Sequence, residues 1–433
     1  MSPGALTPAP PVLPAADLGW VATELGLTVT LPPGVAPAEL DALVGLALRR
    51  NPRRAHLLVS RVLGKHLPVD PQVALAAAGR LADRVMQVRP AVSSSAGRAG
   101  FLVLGFAETA TALGQAVAAA LPDAECVLST RRPGTATISF AEEHSHAVAH
   151  RVLAPARLLT QPRTVVLVDD ELSSGRTAAN TIRALHRQAP HPGYVVASLL
   201  DLRPAQARAE FAQLALELGV PVQAVSLLHG ELHLPDDAPA QVAPLVAAAD
   251  PPQRLEPRWP AERLVAGWRE RVRLTARHGW DARDETALQA AVEELAVRLV
   301  AGSIPATARR VLVLGTEELM YAPMCLGAAL GRRLGARVQV RYQSTTRSPV
   351  AALDRPGYAV RRSLAFAAPD EPARQSFVYN VGPGQPDSAD HIVVVTDGGV
   401  TGPLVDALRG CAPVTEVLLR DEVGGLDAAM GAP

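Results

Sequence analysis

From Phe101 onward the chain alternates short apolar runs with longer stretches of helical spacing, and this rhythm restricts it to parallel sheets covered by helices. FLVLG (101–105) reads as a buried strand, with TATALGQAVAAAL behind it as a helix. CVLST (126–130) and TVVLVDD (164–170) are further strands, the latter followed by a helix over TAANTIRALHRQ (177–188). YVVASLLDL (194–202), a helix over AQARAEFAQLALELG and then VQAVSLL (222–228) continue the pattern. Upstream, residues 1–35 open on a run of Pro and Ala and read as a flexible arm, whereas APAELDALVGLALRR (36–50) has helical spacing. Text dense in Pro and Ala around 234–260 breaks the rhythm, which predicts a linker over 236–260 between domains at 36–235 and 261–433. A chain of 433 residues exceeds what one core usually organises, so length alone predicts two or three domains.

The second half repeats the first. VLVLG (311–315) echoes FLVLG, VRYQSTTRSP (340–349) echoes CVLSTRRPG (126–134), and HIVVVTDGGVTG (391–402) echoes TVVLVDDELSSG (164–175). Placing Asp170 on Asp397 sets Gly175 on Gly402 without a gap. Order, spacing and element type agree, which predicts two related α/β domains.

Composition narrows the function. Forty-two basic residues balance forty-two acidic ones, which argues against non-specific binding to nucleic acid or to a membrane surface. No apolar run approaches the roughly 18 residues needed to span a bilayer, and the start lacks the pattern of a signal peptide. Cys126, Cys325 and Cys411 lie far apart and fit no disulfide or zinc framework, which suits a reducing cytoplasm. Lys65, in VLGKHLPVDP, is the only lysine. In a chain that writes arginine elsewhere, it marks a position suited to a compact ammonium.

The segment richest in chemistry is VVLVDDELSSGRT, Val165 to Thr177. An apolar strand ends in Asp169 and Asp170, a turn of small and hydroxyl residues follows, and a helix begins. Open α/β folds place ligands at the carboxyl ends of their strands. Such a turn offers N–H groups and the Ser173, Ser174 and Thr177 hydroxyls to an anion, with the helix dipole behind them. Gly175 lets the backbone come close. The two acids cannot bind a phosphate but can accept hydrogen bonds from a pair of ribose hydroxyls. Together they describe a sugar 5-phosphate site.

This segment resembles the phosphoribosyl-diphosphate (PRPP) loop of the type I phosphoribosyltransferases over its thirteen positions. The resemblance implies that Asp169 and Asp170 hold the ribose hydroxyls and contact Mg²⁺ indirectly. Ser173, Ser174, Gly175, Arg176 and Thr177 would hold the 5-phosphate. GFAETAT (105–111) falls where that family binds pyrophosphate, with Glu108 and Thr109 as candidates. That loop has no basic residue, so Arg131, Arg132 or Lys65 would have to neutralise the leaving group. FAEEHSHAVAHRVL (140–153) falls at the family's catalytic loop, with Glu143, His144 and His146, beside Glu142, as candidate acid/base or base-recognition groups. His144 and His146 have no third protein ligand nearby in the sequence, so zinc is not expected.

In the second half the equivalent loop reads TDGGVTGPL: Thr396 stands for Asp169, Val400 for Ser173 and Leu404 for Thr177. It has lost a carboxylate and two hydroxyls and is not expected to bind PRPP well. Thr346 to Pro349 instead resembles the TRSP domain named for that tetrapeptide, which is found fused behind phosphoribosyltransferase-like domains in bacteria. That fused family is associated with tellurium-resistance gene clusters and with biosynthesis of a nucleotide-like metabolite. Thr346, Arg347 and Ser348 would suit a phosphate or carboxylate, with Glu317, Glu318 and Tyr321 on the facing loop.

The resemblance implies a cytoplasmic PRPP-dependent transferase of stress-response type. It would use Mg²⁺, PRPP and a small-molecule acceptor, with no membrane or nucleic-acid partner. Two alternatives are a PRPP-sensing regulator and an enzyme cleaving a nucleotide-like glycosidic bond. The oligomeric state stays open, a homodimer among the options.

Overall fold

The computed structural model describes residues 12–13, 18–50, 56–88, 100–132, 134–140, 150–268, 272–384 and 387–420. The first domain is built on a seven-stranded sheet. Its strands run in the order Val222–His229, Tyr194–Asp201, Thr164–Leu172, Phe101–Gly105, Ala124–Thr130, His150–Val152 and Ile138–Phe140. The first five are parallel, and the last two are short antiparallel additions. The second sheet has five parallel strands: Ala261–Val265, Val414–Leu418, His391–Thr396, Arg310–Gly315 and Gln339–Ser344.

Strand for strand, the central parts of the two sheets match in order and in register. Gly105 lies opposite Val168, two residues before Asp170, and Gly315 lies opposite Val395, two residues before Asp397. The outermost strand breaks the repeat. In the first sheet it follows the unit (Val222–His229), and in the second it precedes it (Ala261–Val265).

Two expectations for the first fifty residues need correction. Within the stretch read as an arm, residues 20–25 form a helix and 28–30 a strand, because Leu25, Leu27 and Leu31 supply enough apolar surface to be fully buried. Within 36–50, helix Pro37–Leu43 gives way to strand Val44–Arg49. That strand pairs antiparallel with His56–Ser60 on one side and with Val350–Ala351, directly after the tetrapeptide, on the other. The stretch read as a linker contains the helix Ala238–Ala247.

The two domains are fastened along several seams. Val69 and Tyr342 exchange both backbone hydrogen bonds, and the Ser344 N–H donates to the Gly64 carbonyl. The Cys126 N–H donates to the Trp280 carbonyl. One contiguous apolar cluster contains residues of both sheets, from Val103 and Val166 to Val313 and Val393. Among the described residues no helix is long and apolar enough to cross a membrane.

Candidate active site

Strand Thr164–Leu172 delivers Asp169, Asp170 and Glu171 to the carboxyl edge of the first sheet, all three half-buried. The chain then turns through Ser173 and Ser174 to Gly175, whose φ of +75° is open to glycine at little cost. A Cβ there would also meet the Phe211 ring at 2.6 Å, so the turn has no room for another residue. Helix Arg176–Gln188 starts at once, pointing its first-turn N–H groups back at the turn, where that of Arg176 donates to Ser174 Oγ at 3.3 Å.

The acid pair is electrostatically loaded. Burial and the neighbouring Asp170 carboxylate push Asp169 well above the ordinary carboxylate range. Burial and the Glu171 charge push Asp170 up as well. Carboxyls that resist ionisation in the free protein are primed for hydroxyl donors or a cation.

A cavity of about 340 Å³ opens beside them. Asp169 to Gly175 and Thr177 form one wall, and Phe106 to Thr109 with Arg131 form the floor. Arg49, Leu57, Leu58, Lys65 and His66 form the opposite side, and Thr346, Arg347, Ser348 and Pro349 of the second domain close it. The volume lies in the range of small-ligand sites.

Lys65 and Glu108 form a buried ion pair at 2.6 Å. Burial alone would raise the Glu108 carboxyl, yet Lys65, Arg131 and Arg347 hold it down at about 2. The main chain around Lys65 is fixed by the second domain. Gln343 Nε2 donates to the Lys65 carbonyl at 3.4 Å, and Asn380 Nδ2 to the His66 carbonyl at 3.0 Å. Burial, then the Lys65 and Arg49 charges, depress the His66 imidazole to about 3, so the ring is neutral. Its Nε2 is buried without a hydrogen-bond partner among the described residues.

The other expected residues divide. Thr109 and Arg131 line the cavity, whereas Arg132 turns away to Asp370 at 3.5 Å and Asp397 at 3.6 Å in the second domain. Arg176 is exposed at the helix start and outside the cavity lining. Glu142, Glu143, His144 and His146 lie outside the described residues. Glu318 is a seam residue: it accepts from the Thr130 hydroxyl at 2.7 Å and the Arg131 N–H at 3.2 Å, and pairs with Arg277 at 3.4 Å. The buried Tyr321 hydroxyl donates to Glu285 at 2.9 Å, away from the cavity. Glu317 binds Arg347 at 2.6 Å and Arg374 at 2.8 Å. Sequence reasoning missed His66 and Arg49, although His66 adjoins the conspicuous lysine.

A parallel sheet ending in an acid pair, with a glycine turn leading into a helix, defines a phosphoribosyltransferase-type α/β domain. Residues 43–231 match the profile of a family described as phosphoribosyl transferase, and residues 274–409 match the TRSP domain described as C-terminal to it. The chain belongs to the phosphoribosyltransferases that carry this C-terminal TRSP domain. None of the curated proteins matches it.

Solved structures similar to it include adenine phosphoribosyltransferases. That of Saccharomyces cerevisiae is 16% identical over 44% of this chain and 97% of its own, with a TM-score of 0.29. That of Trypanosoma brucei is 14% identical over 45% and 82%, with a TM-score of 0.31. That of Rhodothermus marinus is 18% identical over 44% and 97%, with a TM-score of 0.29.

Proposed function

We propose that the protein is a PRPP-dependent phosphoribosyltransferase that joins the phosphoribosyl group to a nitrogen of a small-molecule acceptor. The observation that carries this reading is the gathering of an acid pair, a hydroxyl-lined turn at a helix start and a cationic wall around one cavity. PRPP offers matching parts: a diol, a 5-phosphate and a diphosphate. Asp169 and Asp170 would accept from the 2- and 3-hydroxyls. Ser173, Ser174, Gly175 and Thr177 would hold the 5-phosphate against the helix N-terminus. The diphosphate would lie over residues 106–109, beside Lys65 and Arg131. The acceptor then faces Arg49, Leu57, Leu58 and the neutral His66, whose Nε2 provides a hydrogen-bonding position.

Cleavage of the C1–O bond releases pyrophosphate with the bonding pair and leaves an oxocarbenium-like centre. The adjacent carboxylates stabilise that charge, and the acceptor nitrogen's lone pair forms the new C1–N bond while its proton passes to the released pyrophosphate. This chain's share of the work is positioning and preorganised charge. Mg²⁺, implied by the family, suits the donor set, because adjacent half-buried carboxylates beside a diphosphate are the oxygen ligands a hard cation takes. The ion would accompany PRPP and neutralise its diphosphate.

Three unpaired cysteines, two of them buried, fit a reducing cytoplasm as the compartment. The association of this architecture with tellurium-resistance clusters supports a place in stress-linked biosynthesis of a nucleotide-like metabolite. Titration calorimetry with Mg·PRPP tests the reading. The wild-type chain should bind, and the Asp169→Asn/Asp170→Asn double variant should not. Equal affinity in the two would overturn it.

A further inference from the structure

We propose that Arg347 of the second domain completes the diphosphate site of the first, so that the two domains share one active site. This deepens the reading above and rests on it. The loop over which the diphosphate would lie, residues 106–111, contains no basic residue. Of the two cations beside it, Lys65 is already tied to Glu108 at 2.6 Å, and the Arg131 charge also acts on that carboxylate. A leaving pyrophosphate carries several negative charges, and a third cation beside these two would help to neutralise it.

The second domain brings a guanidinium to that place. Arg347 lines the same cavity as Asp169, Asp170 and Lys65, with its Nε 3.9 Å from Glu108 Oε2. Its side chain is 18% exposed, accessible to a ligand but screened from bulk water.

The loop that carries it is pinned at both ends. Thr346 exchanges both backbone hydrogen bonds with Phe377, and Tyr379 Oη donates to the Ser348 carbonyl at 2.6 Å. Directly after the tetrapeptide, Val350–Ala351 pairs with Arg49 and Leu48 of the first domain. The guanidinium is also oriented: Nε donates to Glu317 at 2.6 Å and Nη2 to Asp370 at 3.1 Å. No described residue accepts from Nη1, which leaves that nitrogen for an oxyanion. Arg374 binds the same two acids, at 2.8 Å and 2.7 Å, so they stay compensated while Arg347 serves a ligand. The tetrapeptide is thus a wall of the first domain's cavity rather than a separate site.

The test compares three ligands by calorimetry in the presence of Mg²⁺: PRPP, pyrophosphate and ribose 5-phosphate. Arg347→Ala in the full chain should weaken PRPP and pyrophosphate by about tenfold or more, with ribose 5-phosphate within about twofold of wild type. Arg347→Lys, which keeps the charge and loses the fork, should fall between. Retained ribose 5-phosphate binding also reports that each variant is folded. Unchanged PRPP affinity in Arg347→Ala, or an equal loss of all three ligands in both variants, overturns the proposal while leaving the transferase reading intact. A wild-type chain that binds none of the three overturns both.

Discussion

The turn after Thr164–Leu172 and its counterpart after His391–Thr396 stand at equivalent points of two sheets that share strand order and register. They do different work. In the first, Asp169 and Asp170 stand side by side at a cavity wall, both pushed above the ordinary carboxylate range by burial and neighbouring charge. In the second, Thr396 replaces one acid, and its hydroxyl bonds within the turn, donating to the Gly398 carbonyl at 2.9 Å. The remaining acid, Asp397, is matched across the domain seam by Arg132. The first copy keeps two adjacent acids facing a cavity, whereas the second pairs its one acid across the domain seam. A shared scaffold sets where a site can be; the residues at the strand end decide whether one is there.

The contrast is sharpest for the carboxylates. Changing Asp169 and Asp170 together to Asn should cost at least about a hundredfold in Mg·PRPP affinity, since two charge-assisted hydrogen bonds are weakened. Asp397→Asn should leave that affinity within about twofold. A comparable loss from Asp397→Asn, read by the same calorimetry, would erase the distinction between the copies.

The paired glycines give the next largest difference. Gly175 needs its positive φ and abuts Phe211, so Gly175→Ala should destabilise by about 1–3 kcal/mol and weaken PRPP binding. Gly402 opens helix Gly402–Arg409 with no atom within 4 Å of a would-be Cβ. Gly402→Ala should therefore be neutral or stabilising by up to about 1 kcal/mol. Denaturant unfolding of the two variants checks the opposite signs.

Protonation separates the copies more subtly. A carboxyl whose folded value lies above its unfolded one holds its proton in the native state, so its ionisation lowers stability as pH rises through the raised value. Asp169→Asn should thus raise the melting temperature at neutral pH while it lowers PRPP affinity. Wild-type affinity should climb as pH rises through that same value, a limb that the variant lacks. Smaller still, and local to the cavity, is His66. Its imidazole should stay neutral down to about pH 3, so its ring resonances should not titrate near 6.5 in an NMR series.

The acid pair and its turn could be read because their chemistry is contiguous: strand, acids, small residues and helix sit within thirteen positions. The buried strands Phe101–Gly105 and Thr164–Leu172 could be read for the same local reason. What escaped reading depends on distant partners. Residues 44–49 have helical-looking spacing, yet they extend because they pair with residues 56–60 and, at Leu48 and Arg49, with residues 350–351 some three hundred positions away. Leu25, Leu27 and Leu31 look like part of a loose arm until the surface that buries them is present. Lys65 stood out by its rarity, but nothing local shows that it meets Glu108, or that His66 beside it loses its charge. Arg347 looked like the centre of its own site because its sequence neighbours suit an anion; only folding reveals whose cavity it faces.

A crystal structure of the full chain with Mg²⁺ and PRPP tests the central claim most directly. The ribose diol should lie within hydrogen-bonding reach of Asp169 and Asp170, and the 5-phosphate on Ser173 to Thr177. Density for the sugar phosphate at Asp397 instead, or an acid pair that touches no part of it, would contradict the account.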